Sequence, residues 1–466
     1  MQNKLVDKLK IDIAALINAS CMTALFGSGW FMFYSRSMQI PFTHVGHTLL
    51  IVLFLVIYML CFTLYGTFRV STSRVSELLY NQILSLVISD SIMYIMIILL
   101  CRSFQNLIPL FMGFIAQCCV AAIWSLLINK WYFSSHSPKK TIIIWDVRTG
   151  IDGLITKYDL EKRYQVVNLL HAAKCLEDLE KNLNGVEAVF LSGVHSKDRN
   201  KIVKYCVLNN IDSYIIPRVG DTIMSAAKPT HLFNLPVMKV ERYCPSVRYS
   251  VIKRIGDILV SGFTLVVLSP LMLIVAIIIK ATDGGTVLYR QRRLTLNGKE
   301  FDVLKFRSMR MDAEKDGVAR LSTGAADDRI TPIGRIIRAV RIDELPQLIN
   351  ILKGEMAIVG PRPERPEIAA EYEEHMPEFR LRLQAKAGLT GYAQVYGRYN
   401  TTPYDKLLMD LNYIAHASIA EDFKICLGTI KILFMPESTA GIAEGERTAM
   451  DTGSIILGKE EQKITA

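Results

Sequence analysis

Long apolar runs fill the first 130 residues of the chain and then give way to shorter, punctuated patterns. Four stretches, at about 13–34, 45–68, 83–101 and 107–128, each have about the length a helix needs to cross the hydrocarbon core of a bilayer. Lys4, Lys8 and Lys10 precede the first and Arg36 follows it. Arg69 and Arg74 follow the second, Arg102 the third, and Lys130, Lys139 and Lys140 the fourth. This alternation predicts a four-helix transmembrane bundle with both ends in the cytoplasm, over residues 1–135. Asp90 falls near the middle of the third run. An ionisable group at that depth raises a functional role, and a polar contact between helices is the plainer reading.

After the bundle the period changes. Short strands are expected at 141–145, 164–167, 186–191, 213–217 and 237–240, with helices near 172–183 and 196–208, an alternation that predicts a Rossmann-like sheet. The first strand runs into Asp146-Val147-Arg148-Thr149-Gly150-Ile151-Asp152-Gly153. It lacks the G-x-G-x-x-G that lets a backbone approach a pyrophosphate. Residues 136–245 are therefore read as a cytoplasmic Rossmann-like domain that binds no dinucleotide.

A fifth apolar run, 255–279, would measure about 37 Å as a straight helix. Lys253 and Arg254 precede it, and Lys280, Arg290, Arg292 and Arg293 follow it, so both ends are positive. Pro270 supplies no N–H and clashes with the Val266 carbonyl, so a bend is expected near Ser269, whose hydroxyl can satisfy the freed group. A re-entrant segment that enters and leaves from the cytoplasm accounts for these features. A kinked spanning helix is the alternative.

The chemistry concentrates further on. Residues 338–364 read RAVRIDELPQLINILKGEMAIVGPRPE. Apolar residues at Leu345, Leu348, Ile349 and Leu352 form a helical stripe that stops at Gly354, and Pro346 is acceptable only in a first turn. Asp343 and Glu344 are thus expected at a helix N-terminus, where backbone N–H groups favour a carboxylate and an anionic substrate alike. A hard cation such as Mg²⁺, with Asp343 and Glu344 as ligands, reconciles these negative partners. The bland alternative is an ordinary N-cap followed by a first-turn acid. Lys305 and Arg307 alternate with Phe306 as in a strand with a basic face, turned toward lipid phosphate or toward the membrane surface.

Composition narrows the class. In 466 residues, enough for two or three domains, half are hydrophobic, and the net charge is +10 with a pI near 9. Such a balance suits nucleic acid, anionic lipid or a phosphorylated substrate, and the apolar runs favour the lipid bilayer over nucleic acid. The nine cysteines form no C-x-x-C and are read as reduced, buried thiols. No signal peptide with a cleavage site is expected.

Taken in order, the motifs resemble those of a known family, the bacterial sugar transferases, which are monotopic phosphoglycosyl transferases. They begin with Lys253-Arg254, Ser269-Pro270 and Lys305-Phe306-Arg307-Ser308-Met309. They continue through Asp328-Arg329-Ile330-Thr331, Ile333-Gly334-Arg335, Arg338 and Asp343-Glu344-Leu345-Pro346-Gln347. Val359-Gly360-Pro361-Arg362-Pro363-Glu364, Gly388-Leu389-Thr390-Gly391, Gln394-Val395 and Gly397-Arg398 complete the series. Ala387 stands where the family usually has Pro, and Tyr396 where it often has Asn; neither change removes a charge. The resemblance implies an α/β membrane protein: the bundle, the accessory domain and a monotopic catalytic α/β domain at 246–440 with a re-entrant helix. From Glu437 on the chain is polar and glycine-rich, and 441–466 is read as a flexible tail.

It also implies an activity. A hexose-1-phosphate passes from a UDP-sugar, UDP-glucose or UDP-galactose, to undecaprenyl phosphate at the cytoplasmic face of the bacterial inner membrane, with release of UMP. The product starts an exopolysaccharide, capsule or O-antigen repeat unit. Asp343 is the implied nucleophile, and Glu344 assists with Mg²⁺ or with the lipid phosphate. Lys305, Arg307, Arg338, Arg362, Gln394, Arg398 and Asp410 are the expected substrate and phosphate contacts; for the arginines, solvated surface positions are the alternative. A homodimer is left open. A membrane-bound nucleotide-sugar dehydratase and a non-catalytic assembly scaffold are the competing functions. The missing glycine fingerprint argues against the first, and the intact Asp343-Glu344 pair argues against the second.

Overall fold

The computed structural model describes residues 2–38, 41–67, 70–71, 73–146, 160–310, 329–397 and 402–433. Arg398, Asp328 and the expected tail lie outside them. The chain divides into two compact units, 1–214 and 215–466.

The first unit opens with α1 (Gln2–Gly29), α2 (His44–Leu64), α3 (Val75–Cys101) and α4 (Ile108–Ser135). Each coincides with a predicted apolar run, and each is long and apolar enough to cross a membrane. Their shared core is aromatic and aliphatic, with Met22, Trp30, Phe54, Phe62, Leu86 and Ile97 fully buried. A polar chain runs through it. The Tyr58 hydroxyl donates to Asn18 Oδ1 (2.9 Å), Asn18 Nδ2 to Gln82 Oε1 (3.1 Å), and Gln82 Nε2 to Ser125 Oγ (2.9 Å). One residue from each helix takes part, and such bonds hold helices together where burial of apolar surface gives no drive. Asp90 is buried on α3.

Next comes a four-stranded sheet in the order β2-β1-β3-β4, built from β1 (Lys139–Trp145), β2 (Tyr164–His171), β3 (Ala188–Ser192) and β4 (Asp212–Ile215). β1 pairs in parallel with both β2 and β3. Helices α5 (Ala172–Glu177), α6 (Leu179–Asn182) and α7 (Ser196–Leu208) accompany it. The Arg163 guanidinium, just before β2, donates to the carbonyls of Ser71 and Ser73 after α2.

The strand expected at 237–240 does not join this sheet. It belongs to β6 (Leu235–Lys239), which pairs antiparallel with β5 (Lys228–Leu232) across the two-residue connection Phe233-Asn234. A connection that short can join only antiparallel neighbours. The preceding α8 (Val219–Ser225) contributes Val219 to the core of the second unit, which begins at Ile215.

In the second unit a 37-residue helix, α9 (Val247–Asp283), is followed by the antiparallel pair β7 (Leu288–Leu294) and β8 (Glu300–Phe306). The rest comprises α10 (Pro332–Ala339), α11 (Gln347–Lys353), β9 (Ala357–Val359), α12 (Pro366–His375), β10 (Gly388–Thr390), α13 (Tyr392–Tyr396), α14 (Pro403–His416) and α15 (Ile419–Leu433). Helix α9 continues through Ser269-Pro270 without ending. Both of its ends pack on this unit: Arg254 donates to the Ile351 and Leu352 carbonyls (2.6 and 2.7 Å), Lys253 pairs with Asp422 (2.7 Å), and Val275 and Ile279 are buried against Phe306 and Ile337. Between them Leu259, Phe263, Val266 and Val267 are exposed.

Candidate active site

Strand β8 and the turn before α11 bring the charged groups together. Lys305 sits opposite Tyr289 in the hairpin while Phe306 is buried in the core, as the strand alternation requires. Asn350 ties α11 to this strand. Its Oδ1 accepts from Leu304 N (3.0 Å), and its Nδ2 donates to the Asp302 carbonyl (2.8 Å). Arg254 covers the last carbonyls of α11, and Gly354 closes it in a left-handed conformation (φ 87°), the backbone that glycine reaches without strain.

Asp343 and Glu344 do not open α11 directly. They lie in a 3₁₀ turn, Ile342–Glu344, and Pro346 is the N-cap of the helix. Pro346 has no N–H to give the Ile342 carbonyl, which instead accepts from Leu345 N (3.1 Å), so the turn tightens. Arg341, just before it, holds a left-handed conformation (φ 55°), which costs a non-glycine residue roughly 1–2 kcal/mol.

The two carboxylates have different surroundings. Glu344 Oε1 accepts from Lys305 Nζ (3.2 Å) and Arg362 Nη2 (3.0 Å). Burial opposes its ionisation, yet Arg362, Lys305 and Arg341 together hold it well below the usual carboxylate range. Asp343 is 9% exposed and has no hydrogen-bond or ion-pair partner among the described residues. Burial, reinforced by the charge on Glu344, pushes it up to about 6, against the pull of Lys305, Arg338 and Arg362. Two adjacent acids are thus driven apart, one permanently charged and one titrating near neutrality.

Among the other expected contacts, Arg362 joins the pair directly. Arg338, in the last turn of α10, feels the charge on Asp343 and donates from Nε to Ser308 Oγ (2.8 Å). Arg307 is buried with its guanidinium against Gly285. Gln394 lies beside Gly391 on α13. Asp410 is buried on α14 and binds Arg382 (2.6 Å).

The Gly360 turn that carries Arg362 depends on close backbone approach. A side chain at Gly388 would meet Gly360 N, and one at Gly391 would meet the Gly360 carbonyl. This is how the G-L-T-G segment, as β10 paired with β9, fixes the P-R-P turn.

Periodicity and spacing gave no sign of Arg382, Arg293, Asn350 or Lys406. Arg382 lies in Phe379-Arg380-Leu381-Arg382-Leu383-Gln384, whose alternation reads as a strand with an exposed basic face, yet the segment folds as a 3₁₀ helix, Pro377–Gln384, that buries Arg382. Burial lowers the affinity of Lys406 for a proton, offset in part by Glu364, so this lysine stands near the same cluster. Among the described residues no three His, Cys, Asp or Glu side chains converge as metal ligands. The Asp343-Glu344 pair fits instead a Mg²⁺ held by one or two carboxylates plus substrate phosphates and water.

The bacterial sugar transferase family matches residues 248–436. A UDP-N-acetylgalactosamine-undecaprenyl-phosphate N-acetylgalactosaminephosphotransferase of Aeromonas hydrophila is 35% identical over 231 residues, 49% of this chain and 53% of the relative. The chain thus spans about half the length of that protein. A UDP-glucose:undecaprenyl-phosphate glucose-1-phosphate transferase of Caulobacter vibrioides is 39% identical over 199 residues, 42% of this chain and 74% of the relative. An exopolysaccharide production protein PSS of Rhizobium leguminosarum bv. phaseoli is 42% identical over 189 residues, 39% of this chain and 94% of the relative. Identity at this level across nearly the whole of a relative, over the half that holds the asymmetric acid pair, means that the chain belongs to the bacterial sugar transferase family.

Proposed function

We propose that the protein transfers a hexose-1-phosphate from a UDP-sugar, UDP-glucose or UDP-galactose, to undecaprenyl phosphate, as the first step of an exopolysaccharide, capsule or O-antigen repeat unit. The observation that carries this reading is the inequality of the acid pair. Glu344 is neutralised by Lys305 and Arg362, while Asp343 carries no partner of its own among the described residues.

Ionised Asp343 attacks the phosphorus that bears the sugar. A carboxylate–phosphorus bond forms, the bond to the oxygen of UMP breaks, and UMP leaves with that electron pair. An oxygen of undecaprenyl phosphate then attacks the same phosphorus and returns Asp343 to its carboxylate form. Arg362 and Lys305 face the charge that develops on the phosphoryl oxygens. Mg²⁺ held by Asp343 and Glu344 would supply charge neutralisation on the diphosphate.

The acceptor is a lipid, and α9 suits that task. Both of its ends are anchored to the catalytic unit while its apolar middle is exposed, which supports a re-entrant segment over one that crosses. The bundle would then anchor a multi-pass protein in the inner membrane, with the catalytic unit in the cytoplasm. UMP release measured over a panel of UDP-sugars, with and without undecaprenyl phosphate, tests the proposal. A sugar-phosphate adduct on Asp343 by mass spectrometry is expected. No release with any sugar refutes the activity.

A further inference from the structure

Behind the P-R-P turn lies a second charged layer that the reaction above does not use. Arg382, 5% exposed, pairs through Nε and Nη2 with Asp410 Oδ2 (2.9 and 2.6 Å), and Asp410 is 1% exposed. The Phe379 ring lies under its guanidinium at 4.9 Å. Held in this way, the Arg382 fork donates from Nη2 to the backbone carbonyl of Arg362 (2.7 Å). Arg293 does the same one residue later, giving Nη1 to the Pro363 carbonyl (3.1 Å). Glu364 stands between the two arginines, 3.7 Å from each.

We infer that Arg382, oriented by Asp410, is a positioning residue that sets the reach of Arg362 onto Glu344 and so onto the substrate phosphates. The inference rests on the reading of the acid pair given above. Arg362 has a long side chain, is 42% exposed at that side chain, and is held at its far end by Glu344 among the described residues. Its guanidinium position therefore follows from its backbone, which the buried fork fixes. A planar fork can serve a carboxylate and a carbonyl together, and an ammonium cannot do so in one plane. An error of about 1 Å in such a group costs up to roughly 100-fold in rate.

The test is a double-mutant cycle on the full-length protein in nanodiscs. Arg382→Met alone strands the Asp410 charge in the interior and can fail to fold. The paired variant Arg382→Met/Asp410→Leu removes both charges and is the one to measure, with its melting midpoint recorded beside the parent. Turnover in the pair is expected to fall roughly 10- to 100-fold. In an Arg362→Met background the same pair should cost less than about twofold, because the group it positions is gone. Equal, additive losses in both backgrounds overturn the inference and leave Arg382 a packing residue. If the parent turns over no nucleotide sugar, the proposed function fails, and the clamp is judged by a structure of the paired variant. A 362–363 backbone and an Arg362–Glu344 contact unchanged from the parent would then overturn it, and a displaced turn would support it.

Discussion

The Ser269 hydroxyl donates a 2.8 Å hydrogen bond to the Val266 carbonyl. That carbonyl is the acceptor that loses its helical partner because Pro270 carries no N–H. The side chain before the proline thus repairs the bond that the proline removes, and α9 passes through the site without ending. In lipid an unsatisfied carbonyl costs several kcal/mol, so the repair matters more there than in water. With cysteines introduced at exposed Arg248 and Arg290 in a cysteine-free background, both flanks of the parent should label from the cytoplasmic side. Pro270→Ala gives the Val266 carbonyl back its N–H partner and removes the ring that clashes with it, which favours a helix of this length crossing the membrane, and should yield a mixed population with lower turnover. Labelling of position 290 from outside in the parent would sink the re-entrant reading.

Replacement of the acids separates their roles. Asp343→Asn keeps shape and removes the nucleophile, and transfer should drop on the order of 10³-fold or more. Glu344→Gln keeps Asp343 and leaves Lys305 and Arg362 without their anion, so a measurable trace of UMP release should persist. Comparable residual rates in the two variants would mean that Asp343 does not attack phosphorus.

The sequence carried the site better than its supports. Lys305, Asp343, Glu344 and Arg362 were all legible, because each lies in a short motif whose chemistry is readable without knowing the fold. Asp410 and Tyr413 stand three residues apart on α14, yet Asp410 turns to Arg382 while Tyr413 donates to Asp422 Oδ1 (2.7 Å). Partners 28 and 9 residues away along the chain are set by tertiary packing, and no local period encodes them. The four apolar helices were legible for the opposite reason, since length and hydropathy alone decide them. The pattern at 237–240 suggests the wrong sheet because a strand pattern names no neighbour.

The unit boundary makes a practical difference. Val219 is buried with Leu407 and Leu411 of α14, and Tyr243 N donates to Gln384 Oε1 (3.0 Å). A protein that begins at Ser246 keeps every motif but loses both contacts. One that begins at Ile215 keeps them, and it should melt several degrees higher and retain turnover in nanodiscs. Equal melting midpoints for the two truncations would show that 215–245 contribute nothing to the catalytic unit.

The raised affinity of Asp343 for a proton ties activity and stability to pH in opposite senses. Its folded value is about 6, against about 3.9 for an unperturbed aspartate. Between these values the folded protein binds more protons than the unfolded chain, so this group's contribution to stability falls as pH rises through the window. Above about pH 6 the full penalty stands, about 3 kcal/mol for a difference of roughly two in pKa. Asp343→Asn removes it. The variant should therefore melt at a higher temperature than the parent at pH 7.5, and the advantage should shrink toward zero as pH falls to about 4. Asp343 without metal ionises only above about pH 6; Mg²⁺ on its carboxylate would lower that value, so turnover should rise with pH through a window at or below about 6, and the window should move down as Mg²⁺ is raised. If the Asp343→Asn variant held the same advantage at about pH 4.5 as at about pH 7.5, Asp343 would titrate like an exposed carboxylate, and the acid pair would lose the asymmetry on which the proposed chemistry depends.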